Sequence, residues 1–212
     1  MRNDGRLNAP GTGEYPENAQ KGAMIVMLPG YGPLPSEKTT TPLARSARGL
    51  ITSPQIDRGP FVPRLLAWLR AAGVDTQAYA RYFRLCTWCE RLDPKLHGPQ
   101  MVKALAADAD HFLAEVTAHH PALTVFMSCY LHDAVCEPSV TERLGPVFGR
   151  PLTPPRRLCD TRLRAQVQRW ERTLMIGLPV PGQNATPAFA EALAESLRPI
   201  FEPLRRESHG RR

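Results

Sequence analysis

Ala23-Met24-Ile25-Val26-Met27-Leu28 is an unbroken apolar run that ends in Pro29-Gly30-Tyr31-Gly32-Pro33, a turn in which no regular element continues. A short apolar run closed by Gly and Pro predicts a buried strand that delivers a loop to the end of a sheet. The event recurs at the far end of the chain, where Thr173-Leu174-Met175-Ile176-Gly177-Leu178 runs into Pro179-Val180-Pro181-Gly182-Gln183-Asn184. In open α/β sheets ligands sit outside the carboxyl ends of the strands, so two such loops are expected to line one cleft.

The segments between alternate in type. Phe61 to Ala72 carries Leu65, Leu66, Trp68 and Leu69 on one side and predicts a helix stopped by Gly73. Tyr79 to Cys86 predicts a second strand. Val102, Leu105, Ala109, Phe112, Leu113 and Val116 recur at helical steps and predict one long helix from Pro99 to His119, stopped by Pro121. His119 and His120 then suit the carbonyl end of that helix, where a cation is favoured. Leu123 to Met127 predicts a strand and 131–135 a short helix. Thr186 and Pro187 predict the cap and first residue of a last helix, with Phe189, Leu193 and Leu197 on its buried side. Alternation of this kind implies an α/β fold: a three-layer αβα sandwich on a short, mainly parallel, four-stranded sheet.

With 212 residues and 42% hydrophobic side chains, the chain suits a single domain over 23–203. Residues 1–22 are polar and aperiodic and read as a disordered leader, and 204–212 as a basic tail. No apolar run reaches the roughly 20 residues of a membrane span, and no secretion signal opens the chain. A cytoplasmic protein with no membrane partner, acting as a monomer, is expected.

The net charge of +7 is concentrated, with seven arginines between Arg150 and Arg172 against Asp160 and Glu171. Guanidinium groups hold phosphates bidentately and release counterions, so Arg156, Arg157, Arg162 and Arg164 are candidate contacts to a DNA backbone. The same run also reads as a solvated face or loop.

Five cysteines without a secretion signal imply free thiols. Cys86 and Cys89 have the spacing of a metal pair, but Cys129 and Cys136 have six residues between them and make no second close pair. Zinc or an iron–sulfur cluster therefore fits poorly and no cofactor is expected; small buried side chains are the competing reading. His132-Asp133 follows a strand and so reaches toward the cleft, although adjacent helical residues do not face one another. No Gly-x-Gly-x-x-Gly, P-loop or nucleophile elbow is present, which excludes the common dinucleotide, nucleotide-triphosphate and α/β-hydrolase sites.

Taken in order, the segments over 23–202 resemble the uracil-DNA glycosylase superfamily. Val26-Met27-Leu28-Pro29-Gly30 is similar to the family's first motif, Leu65-Leu66-Ala67-Trp68-Leu69-Arg70-Ala71-Ala72-Gly73-Val74-Asp75 to its leucine-rich helix, Tyr82-Phe83-Arg84-Leu85-Cys86 to its cysteine-ended strand, and Val180-Pro181-Gly182 to its second motif. The resemblance implies a partner, DNA, and a reaction, hydrolysis of the N-glycosidic bond of an extruded base. It also implies a base pocket from Pro29, Gly30, Tyr31, Phe61, Tyr82, Pro181, Gly182 and Gln183, with Tyr31 or Phe61 stacking on the base. Met27 and Leu28 stand where the family keeps a polar residue, and Val180 where it keeps a histidine. The implied substitutes are Asn184 for the leaving base and Glu37, Asp57 or Asp133 for a carboxylate. A chain that binds through the same cleft without cleaving is the alternative.

Overall fold

The computed structural model describes residues 22–28, 61–73, 83–159, 163–180 and 186–209. Three predicted strands form nearly where the apolar runs place them: β1 at Ala23–Met27, β3 at Leu123–Phe126 and β6 at Leu174–Gly177. The second strand, β2, spans Phe83–Thr87. β1 pairs in parallel with β2 on one side and β3 on the other, and β3 pairs in parallel with β6. Parallel neighbours demand crossovers: α1 (Phe61–Ala71) lies between β1 and β2, and α2 (Gly98–Ala107) and α3 (Asp110–His119) lie between β2 and β3.

Alternation along the strands divides the core in two. Ala23, Ile25 and Met27 of β1, with Leu123, Val125, Leu174 and Ile176, pack beneath α1 and α6 (Pro187–His209). Trp68 meets Phe189 edge-on there, with ring centroids 5.4 Å apart. Met24, Val26, Phe126 and Met175 face the other way, toward Leu105, Phe112 and Val116. The molecule is therefore α/β with helices on both faces of its sheet.

The structure corrects the sequence reading in several places. The sheet has six strands among the described residues, not four, in the order β2-β1-β3-β6-β5-β4. The additions are β4 (Arg156–Arg157) and β5 (Gln166–Arg169), which run antiparallel and extend the sheet beyond β6. Both lie in the arginine-rich block, where polar side chains hide the alternation. A tight return joins β5 to β6, with Trp170 N–H donating to Thr173 O at 3.0 Å.

The long helix is two helices. At Asp108 the backbone leaves the helical region, with φ −112° and ψ 48°, and Leu105 O accepts from both Asp108 N–H and the Trp88 indole, the latter at 2.8 Å. Trp88 also stacks on Phe112 at 4.4 Å, so one ring binds both halves to the end of β2. Pro138–Phe148 forms a further helix, α5, which the proline and glycine in its sequence disguise. Finally, α6 continues to His209 and so takes in most of the expected tail. Among the described residues no helix is long and apolar enough to cross a membrane.

Candidate functional site

Beyond the carboxyl end of β3 the chain turns at once into α4 (Cys129–Val135). Ser128 caps it, its Oγ accepting from Tyr130 N–H at 3.3 Å, as a hydroxyl at this position should. α4 packs on α2 and lies over β6 at Gly177. A Cβ built on Gly177 would stand 2.7 Å from His132 Cβ, so glycine permits the close approach.

These elements enclose a cleft of about 770 Å³. Its walls are the first turns of α2 (Gly98, Pro99, Val102, Lys103), then Ser128, Cys129, Tyr130 and Asp133, Glu137 beyond α4, Leu163 and Arg164 before β5, and Pro179-Val180 after β6. It thus lies outside the carboxyl ends of two parallel strands, the position expected for a ligand site in this architecture.

The polar chemistry of the cleft centres on Asp133. Arg164 Nη2 donates to Asp133 Oδ2 and Gln166 Nε2 donates to Asp133 Oδ1 at 2.9 Å. Gln166 Nε2 also lies 2.9 Å from His132 Nδ1. His132 is fully buried, edge-on to Phe126, and burial pushes its pKa down from 6.5 to about 4 against the opposing pull of Asp133. The imidazole is therefore neutral at pH 7, and its Nε2 has no hydrogen-bond partner among the described residues.

Cys136 Sγ donates to His132 O at 3.3 Å and stands 3.9 Å from Nδ1. Next along the buried layer, Gln168 accepts from the Trp170 indole at 3.1 Å and donates to Thr153 O at 3.3 Å. Gln168 thus satisfies both ends of its buried amide within the protein, and Gln166 places its amide nitrogen between two side-chain partners.

Cys129 lines the cleft and Cys136 lies behind it, and both thiols keep their protons at neutral pH. Burial pushes both Cys129 and Cys136 up to about 11. Cys129 Sγ donates to Arg164 O at 2.7 Å instead, which helps seat the start of β5 against α4. Cys86 and Cys89 are buried, with Cys89 pushed up to about 12 by burial and by the nearby Asp108 charge. They donate to Thr87 O and Arg91 O, and no group of three or more metal-ligating side chains gathers among the described residues.

Of the expected site residues, Asp133 and Arg164 come together in the cleft, joined by an ion pair rather than facing separate partners. Arg156 and Arg157 lie exposed on the outer strand β4, and Arg157 Nε donates to Cys159 O at 3.1 Å. Phe61 opens α1, but its side chain lies outside the described residues, as do Pro29, Gly30, Tyr31, Glu37, Asp57, Tyr82, Arg162, Pro181, Gly182, Gln183 and Asn184. Ser128, Tyr130 and Lys103 join the cleft wall, and Gln166 its hydrogen-bond network, beyond the residues the sequence singles out. The serine after an apolar strand is a legible cap signal; Gln166, Lys103 and Tyr130 carry no signal apart from tertiary placement.

No model of a known protein family matches the chain, and no curated protein matches it significantly.

Proposed function

We propose that the chain acts on DNA in the manner of uracil-DNA glycosylases, receiving an extruded base in the cleft beyond β3 and β6, as a cytoplasmic monomer without a cofactor. The observation that carries the reading is that cleft, which places Arg164, Lys103 and Tyr130 together outside the carboxyl ends of parallel strands. The general α/β architecture, with helices on both faces of a mixed six-stranded sheet, is compatible with the reading and does not single it out.

In this reading Tyr130, which is exposed, offers a ring on which a base stacks. Hydrolysis transfers the oxygen of water to the sugar C1′ and leaves the electron pair of the broken bond on the base. Lys103, exposed at the cleft wall, supplies positive charge where that negative charge develops, beside the paired Arg164 and Asp133. Asn184 would complete the contact to the leaving base.

Recognition without cleavage is the second reading, and one observation favours it: both Asp133 oxygens already accept hydrogen bonds, from Gln166 and Arg164. A carboxylate so engaged is a weak partner for an attacking water.

Duplexes carrying uracil, mismatched thymine, hypoxanthine or oxidised bases, assayed for alkali-labile abasic sites, separate the two. Strand breaks that vanish in Asn184→Ala support excision. Salt-sensitive gel shifts without breaks support recognition alone, and a protein that binds none of the duplexes overturns both.

A further inference from the structure

His132 and Asp133 are neighbours on α4, so their side chains leave the helix about 100° apart. One goes down into the sheet and the other to the cleft wall. Neither reaches the other, yet both meet a single atom, Gln166 Nε2, at 2.9 Å. That atom carries two hydrogens, and a carboxylate can only accept. The amide of Gln166 must therefore turn its nitrogen to Asp133, because the reverse orientation sets Oε1 against the carboxylate. With nitrogen in place as a donor, His132 Nδ1 has to accept, and the single proton of the neutral ring belongs on Nε2.

The groups around the imidazole agree. The charged ones are Asp133 and Arg164, which pair with each other, and the Cys136 thiol keeps its proton at neutral pH. Gly177, Phe126 and Gln166 close the remaining sides without charge.

We infer that Gln166 is the positioning residue of the cleft: its two amide hydrogens fix His132 in the Nε2–H form and orient the Asp133 carboxylate, and through it Arg164, toward a bound ligand. For its effect on a ligand this rests on the base-binding reading, but the positioning itself does not. Gln166 sits on the strand that the parallel core lacks, so β5 contributes the residue that organises a cleft built by β3, β6 and α4.

Imidazole nitrogen NMR of the full chain tests it, with a duplex containing one U·G mismatch as the ligand probe. The wild-type ring should show a protonated Nε2 and a bare Nδ1 from pH 7 to pH 5. Gln166→Glu, which replaces the donor by an acceptor, should put a proton on Nδ1 and weaken duplex binding on the order of tenfold, more at high pH than at low. Gln166→Met, which removes both donors without adding charge, should leave the ring a mixture of tautomers. A wild-type ring protonated on Nδ1, or one whose tautomer is the same in both variants, overturns the inference. If the wild-type chain binds no duplex while the ring behaves as stated, the base-binding reading fails and the positioning stands.

Discussion

His132 is a titratable group placed where its charge has no solvent, and that determines how the protein answers acid. The neutral form is held in the fold with a pKa near 4, whereas the unfolded chain takes up the proton near 6.5. Between those values the unfolded state binds more protons than the native state, so stability falls as pH falls. The loss should approach about 1.4 kcal/mol per pH unit below pH 6.5 and level off near pH 4. Urea titrations at a series of pH values check it, with His132→Leu as the comparison. The variant should have a flatter profile over that window, and an unchanged slope would show that other groups carry the acid response.

At the scale of elements, the contact between α4 and the sheet is the tightest join in the site. Gly177 is the last residue of β6, paired with Phe126 and Gln166, and the His132 side chain lies directly over it. Gly177→Ala sets a methyl group 2.7 Å from His132 Cβ, a distance that requires α4 to move. Overpacking of this kind costs about 1–3 kcal/mol, and here the shift also opens the Gln166–His132 contact. Thermal unfolding and the His132 nitrogen spectrum should change together. A variant as stable as the parent, with the same spectrum, would mean that α4 gives way freely. The two helices where one was expected follow from the same kind of constraint. Trp88 binds Leu105 O and stacks on Phe112, so the amphipathic pattern of 102–116 is folded across the sheet rather than laid along one axis.

Over the whole molecule the excess positive charge divides into arginines that hold the fold and arginines that face solvent. Arg172 Nη1 donates to Pro146 O and Val147 O, stabilising the carbonyl end of α5, and Arg150 pairs with Glu171 at 3.0 Å. Arg156 is exposed on the outermost strand. Arg156→Ala should therefore weaken DNA binding and lower the slope of log affinity against log salt by about 1 with melting unchanged, since one phosphate contact is lost. Arg172→Ala should lower the melting temperature and leave that slope alone. Salt titrations of duplex binding beside thermal melts decide between them, and equal slopes in all three proteins would remove the arginine block from the DNA surface.

What the sequence determined by itself is the parallel core. Ala23–Met27, Leu123–Phe126 and Leu174–Gly177 are short, almost wholly apolar runs bounded by turn residues, the pattern of a strand covered on both sides, and Thr186, with Oγ1 accepting from Phe189 N–H at 3.2 Å, caps the last helix as its position required. Asp133 and Arg164 were legible as residue types suited to a site, but not as a pair, because 31 positions separate them. Gln166 and β5 were hidden for the opposite reason. A buried amide looks like a surface residue in sequence, and only tertiary structure, by placing donors and acceptors opposite it, makes its burial tolerable. Local pattern reports what a segment must hide from water; which polar groups meet to make a cleft depends on contacts between segments distant in the chain.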